Sequence, residues 1–383
     1  MKHFRKAVWI LCVFAMSFTN AAAANYTPVK GTSTSFAKYF VLKESAKVPD
    51  AEFTFTIEPG NAQTYSDSRM EVLAGVGQPV IGTAVFTEGE TASSVIAPGD
   101  SVTLEEGEKY AKKTVTVDFG QVSFDEPGIY RYIVKENEIA SRNDIAYDTD
   151  AAAPGSKTRY LDVYVIDENG SLQVDAYVLH ESESEIALTA DNGSLHEPSR
   201  LEDKSDGFVN RYLTQDLTFA KKVSGNQGSK DKYFEFTLHL EGAQPSMTYE
   251  IDLENAEGVS GSNSATIEAN TGKNNPSSLT VDAEGKGTWK FYLKHGQSVR
   301  IQGLPKTTDY ALTENEEDYL SLPGIEETNP DPVSGTVESK DLFTGFTNVR
   351  DGIIPTGVLV PVSSGALLIG LGAAVLLRKR REE

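Results

Sequence analysis

Cysteine is all but missing from this chain. One stands among 383 residues, Cys12, inside the N-terminal apolar run. Disulfides, thiolate metal sites and cysteine nucleophiles are therefore excluded from the rest of the sequence. Basic charge is also scarce, with 35 lysines and arginines against 56 acidic residues and a net charge of −21. Nucleic acid is excluded as a partner, because phosphate binding needs the opposite sign. Histidines are few; His180, His196, His239 and His295 are scattered and form no zinc pair. Asp144 to Asp150 is acidic but lacks calcium-loop spacing. Gly75-x-Gly77 precedes no helix and reads as a loop. No metal, nucleotide or other cofactor is expected. Long apolar runs occur only at the two ends, and no amphipathic helical period appears between them.

Strands fill that interval. Alternating segments at 53–57, 114–119, 160–166, 172–179, 234–240 and 299–301 read as β-strands. Pro, Gly, Asn, Asp and Ser punctuate them, as in Glu58-Pro59-Gly60, Pro98-Gly99-Asp100 and Glu126-Pro127-Gly128. Short strands with regular turn signals indicate an all-β chain of β-sandwiches.

An ordered repeat divides the chain. Phe36-Ala37-Lys38, then Tyr132, Val134 and Glu136 at alternate positions, then Phe208 and Asn210 make the first copy. Phe219-Ala220-Lys221, then Tyr310, Leu312 and Glu314, then Phe346 and Asn348 make the second. Each copy also carries a Phe-x-Phe strand after its lysine, Phe53/Phe55 and Phe234/Phe236. Two sandwich domains are expected, residues 25–212 and 213–351, with extra strands in the first between Glu136 and Asn210.

Period-two arithmetic aims all six polar side chains inward. Lys38 shares a face with Phe36, Phe40 and Leu42, whereas Lys43 lies on the other parity. Lys221 shares a face with Leu217, Phe219 and Val223. Burying a lysine and a glutamate is costly, and burial drives both toward their neutral forms. A neutral lysine is a nucleophile, and a protonated glutamate can polarise an asparagine carbonyl and shuttle protons as ammonia leaves. The product is an intramolecular Lys–Asn isopeptide bond. The competing reading is a buried Lys–Glu ion pair with asparagine completing its hydrogen bonds. Ser35-x-x-Lys38 also matches the Ser-x-x-Lys of penicillin-binding enzymes, but no companion motif follows, and an enzymatic role is not expected.

The ends carry addresses. Lys2, Arg5 and Lys6, an apolar run from Ala7 to Phe18, and small residues at Ala21 to Ala24 read as a secretory signal over residues 1–24. A lipoprotein site at Cys12 is disfavoured by bulky Leu11 before it. At the other end, Ile354-Pro355-Thr356-Gly357 precedes an apolar run at 358–377 and Arg378-Lys379-Arg380-Arg381. That run is long enough to span a bilayer, with the basic cluster on the cytoplasmic side. Residues 352–383 thus resemble a cell-wall sorting signal of the (Val/Ile)-Pro-Thr-Gly type. The resemblance implies a sortase cut between Thr356 and Gly357, a Gram-positive host and a peptidoglycan anchor.

With the two triads, this ending resembles the streptococcal pilin isopeptide-linkage domain family, the backbone pilins of Gram-positive bacteria. The resemblance implies tandem immunoglobulin-like sandwiches of the collagen-adhesin B type. It implies Lys38–Asn210 and Lys221–Asn348 as bond partners, with Glu136 and Glu314 as catalysts. It further implies a pilus-class sortase, identical subunits in a covalent polymer and minor tip and base pilins as partners. Polymerisation requires a lysine to accept the Thr356 acyl group. The usual Tyr-Pro-Lys marker is absent, and Lys204, shortly before Asn210, is the candidate, with Lys157 next. The alternative is a monomeric wall-anchored adhesin with a stalk of the same domains; a host-surface ligand is left open.

Overall fold

The computed structural model describes residues 26–64, 71–140, 142–148, 157–183, 190–191, 194–195, 204–259, 273–325 and 330–353. Every regular element among them is a β-strand. The expected signal, the Ile354–Gly357 motif and the apolar run at 358–377 lie outside the described residues. No helix among the described residues is long and apolar enough to cross a membrane.

The first sandwich is built from two sheets. In one, Ser33–Lys43 lies between Glu108–Asp118, which runs antiparallel to it, and Gly207–Tyr212, which runs parallel. In the other, Gly128–Glu136 pairs antiparallel with Phe55–Pro59 and with Thr158–Glu168, which in turn pairs with Ser171–His180. The second sandwich repeats the plan. Thr214–Ser224 lies between antiparallel Gln297–Pro305 and parallel Leu342–Val349. Opposite it, Phe234–Glu241 lies between Gly287–Leu293 and Asp309–Glu314. The expected strands are all present and extend beyond the expected bounds, except that the one at 114–119 ends at Asp118 and the 53–57 segment is interrupted at Thr54, which splits it into Ala51–Phe53 and Phe55–Pro59.

Each domain has its own apolar core. One runs from Phe36 to Tyr212 and the other from Leu217 to Phe346. Aromatic residues sit at matching positions in both. Phe36, Phe55 and Phe208 form a triangle with ring centroids 5.2 to 5.5 Å apart. Phe236 lies 5.9 Å from Phe219 and 6.0 Å from Phe346. Such pairs add to stability beyond the area they bury.

The lysine-bearing strand is buried on both faces, which alternation alone does not reveal. Ala37, Tyr39 and Val41, opposite in parity to Lys38, pack with Val102 and Tyr110 in a smaller second cluster. Ala220 does the same with Ala256, Val259 and Ile325. A glycine lets the parallel neighbour approach. A Cβ on Gly207 would lie 1.7 Å from the Ala37 carbonyl oxygen, and one on Gly345 2.1 Å from that of Ala220. The repeated unit is therefore Gly-Phe-x-Asn, at 207–210 and 345–348. Glycine here is a packing requirement between two paired strands.

The domains meet through polar contacts. Lys43 reaches the Asp341 carboxylate at 2.7 Å and the Gln215 amide at 2.5 Å, and Ser45 donates to Asp216 at 3.0 Å. Lys43, the lysine on the other parity, thus serves the junction between the domains.

Candidate functional site

The strand register brings each triad together in the same way. In the first domain Lys38 lies opposite Phe208 on the parallel neighbour, and Phe40 opposite Asn210. In the second, Lys221 lies opposite Phe346, and Val223 opposite Asn348. The asparagine is two residues along the adjacent strand, on the same face as the lysine. The glutamate comes from the facing sheet. Glu136 is paired with Phe55 and Glu314 with Phe236, the second aromatic of each Phe-x-Phe. The first aromatic receives the amine. Lys38 Nζ stands 4.6 Å from the Phe53 ring centre, and Lys221 Nζ 4.1 Å from that of Phe234. An aromatic face accommodates the ammonium without competing for the amine lone pair.

In the first domain, Lys38 Nζ is 2.7 Å from Glu136 Oε1, with both side chains fully buried. The same oxygen accepts a 2.8 Å hydrogen bond from Asn210 Nδ2. Asn210 Oδ1 in turn accepts from the backbone N–H of Asp148 at 3.0 Å. In the second domain, Lys221 Nζ donates to Glu314 Oε1, and both side chains are again fully buried. Ser321 Oγ donates to Glu314 Oε2 at 2.7 Å. Asn348 is buried, and neither of its amide atoms has a hydrogen-bond partner among the described residues. A buried unsatisfied amide costs about 1–3 kcal/mol, so this asparagine is held there against a penalty.

Burial sets the protonation. It pushes the Lys38 amine down to about 8 against the pull of Glu136 and Asp148, and the Lys221 amine down to about 8 against Glu314. Burial also lifts the Glu136 carboxyl above its usual value, opposed by Lys38 and by the Asn210 hydrogen bond. Both changes reduce the cost of moving the shared proton from lysine to glutamate.

The other expected positions differ in accessibility. Lys204 is exposed, and its backbone bridges to His180. Lys157 is ion-paired with Glu138 and lies 5.2 Å from the Tyr147 ring centre. Sequence reasoning passed over Asp148 and Ser321. A serine seven residues beyond a glutamate, on a strand of the facing sheet, matches no motif, and a backbone donor leaves no sequence signal at all. No group of three or more metal-ligating side chains occurs among the described residues.

Residues 36–213 match the Spy0128-like isopeptide containing domain, and residues 215–350 match a domain of unknown function, DUF7601. In sequence, the chain is 26% identical to a pilin of Streptococcus pyogenes serotype M1, covering 95% of each. It is also 30% identical to the pilus tip adhesin Cpa of Streptococcus pyogenes over 43% of this chain and 22% of that protein. In fold, it is similar to the crystal structure of the major pilin from Streptococcus pyogenes. That likeness has a TM-score of 0.52 and 23% identity, and covers 85% of this chain and all of that one. The first domain is a Spy0128-like isopeptide containing domain, and the chain as a whole is similar in sequence and in fold to streptococcal pilins.

Proposed function

We propose that this chain is the structural subunit of a covalently polymerised, wall-anchored pilus, and that each domain closes its own isopeptide bond. The carrying observation is the duplicated site, with lysine, glutamate and asparagine in the same register in two separate cores. A single buried ion pair needs no such repetition, nor does it need an asparagine at the same diagonal each time. Lys38 Nζ, once neutral, attacks Asn210 Cγ. Glu136 supplies a proton to the departing Nδ2, which leaves as ammonia, and takes one from the new Nζ–C bond's nitrogen. Lys221, Glu314 and Asn348 do the same in the second domain.

Placement suits a fibre. In each domain the lysine strand is the first long strand and the asparagine strand the last, side by side and parallel. A bond between them carries tension from chain entry to chain exit, so the sandwich is not peeled apart strand by strand. In the assembled pilus the sortase would join Thr356 to a lysine of the next subunit. Lys204 is favoured for that role over Lys157, because Lys157 is already engaged by Glu138. A monomeric adhesin stalk is the second reading, supported by the likeness of part of the chain to a tip adhesin.

The test is the intact mass of residues 25–356 together with the crosslinked peptides. Two bonds release two molecules of ammonia, so the chain is expected to weigh about 34 Da less than its sequence mass. Full sequence mass in folded protein would return both sites to ion pairs.

The pH dependence follows from the shared proton. The reactive state, neutral lysine with protonated glutamate, holds as many protons as the ion pair does. Its population is therefore level across neutral pH. Above the depressed lysine pKa of about 8 the shared proton is lost, and the glutamate can no longer donate. In acid the lysine regains a proton while the glutamate keeps its own. Bond formation in nascent chain, followed by quenched peptide mass spectrometry, is expected to plateau near neutral pH and fall on both sides. A rate still rising through pH 10 would contradict this mechanism.

A further inference from the structure

The two sites differ at the asparagine carbonyl, and the difference has chemical meaning. Asn210 is held at both ends of its amide. Nδ2 donates to Glu136 Oε1, and Oδ1 receives the Asp148 N–H. The opposite amide orientation would put Nδ2 against an N–H donor and Oδ1 against a carboxylate, so the observed one is dictated. It places the leaving nitrogen on the proton shuttle and the carbonyl oxygen on a fixed dipole.

The Asp148 segment is itself anchored. The Asp148 carboxylate accepts from Arg159 Nη2 at 2.6 Å, and both side chains are buried. The same oxygen accepts from the backbone N–H of Val209, next in sequence to Asn210, at 3.0 Å. Arg159 also stacks over Phe208 at 4.8 Å and donates through Nε to Ser205. The ion pair thus clips the Asp148 segment to the asparagine strand. No comparable donor reaches Asn348 Oδ1 among the described residues.

We infer that the Asp148 backbone N–H is the oxyanion donor for closure of the Lys38–Asn210 bond, and that the Asp148–Arg159 ion pair positions it. The inference rests on the isopeptide reading. When Lys38 Nζ adds to Asn210 Cγ, the carbonyl electron pair moves onto Oδ1 and charge develops 3.0 Å from the N–H. Collapse returns that pair, breaks the Cγ–Nδ2 bond and releases ammonia with the proton from Glu136, whose carboxylate then takes the surplus proton from Nζ. A prearranged donor at such an oxygen accelerates reaction without reorganising. Asp148 acts on the reacting atom through its backbone; its side chain and Arg159 are positioning groups.

The test uses cell-free synthesis of residues 25–356, with timed quenching and quantification of both crosslinked peptides. The Lys221–Asn348 bond in the same molecules serves as an internal clock. Replacing Asp148 by its α-hydroxy acid counterpart keeps the carboxylate and exchanges only the N–H for oxygen. The Lys38–Asn210 bond is expected to form on the order of 100-fold more slowly, the cost of losing one oxyanion donor, while the second bond keeps its rate. Asp148→Ala is expected to slow the first bond about tenfold, at the modest end of general positioning effects, and Asp148→Asn to restore most of the rate. That series holds if the ester-containing chain does not fold, which near-UV circular dichroism in a Lys38→Ala background reports. Unchanged first-bond rates in folded ester and Asp148→Ala chains would overturn the donor. Absence of both crosslinks in the wild-type chain would instead overturn the isopeptide reading itself.

Discussion

Chain carrying both Glu136→Ala and Glu314→Ala is expected to show its full sequence mass and to melt far below the wild type. Each proposed crosslink closes a loop spanning nearly a whole domain, and loop-closure entropy assigns such a link about 5 kcal/mol. For domains of this size each kcal/mol moves the melting temperature by about 2–4 °C, so each lost bond should lower its domain's transition by about 10–20 °C. The alanine variants carry a second penalty. Lys38 and Lys221 remain in apolar cores without their carboxylates, and an orphaned buried charge costs about 3–5 kcal/mol. The paired change Lys38→Met with Glu136→Gln separates the effects, since it removes the crosslink and leaves no charge behind. Calorimetry of the single, double and paired variants provides the comparison. A Glu136→Ala chain retaining the full 34 Da deficit, roughly two ammonia losses, would remove the glutamate from the mechanism.

Loss of polymer is the second large effect. In the native host, Thr356→Ala is expected to abolish the high-mass ladder of covalent pilin multimers and release subunit to the medium. In the proposed sorting reaction the transferred acyl group is that of Thr356, with Gly357 on the severed side. Lys204→Ala should collapse the ladder to monomers still attached to the wall, while Lys157→Ala should leave it intact. Immunoblots of wall digests and culture medium distinguish these outcomes. A wild-type chain that is wall-bound yet never forms a ladder would favour the monomeric stalk. A ladder lost with Lys157→Ala and kept with Lys204→Ala would reassign the acceptor.

Much of this was legible in the linear sequence because strands have a period of two. Parity alone aimed Lys38, Glu136 and Asn210 inward, and their burial in the structure agrees. The duplicated order of Phe, Lys, Tyr, Glu, Phe and Asn was equally visible. Gly207 and Gly345 were visible too, but they had no reason to matter until the lysine and asparagine strands were seen to pair in parallel. Lys43 was recognised only as lying off the core, while its role at the domain junction depends on Asp341, nearly 300 residues distant.

Composition and periodicity determined that this chain has no disulfides, opposes nucleic acid by charge, folds as tandem β-sandwiches and buries two copies of one Lys–Glu–Asn trio. These are properties of side-chain type and of local backbone repeat, so they need no partner strand. The tertiary structure decided the diagonal register of lysine and asparagine and the shielding of both faces of the lysine strand. It also decided the difference between the two sites, an Asp148 N–H at one asparagine and a Ser321 hydroxyl at the other glutamate. Those depend on which distant strands pair and on where a backbone amide points, and neither is written in the order of residues.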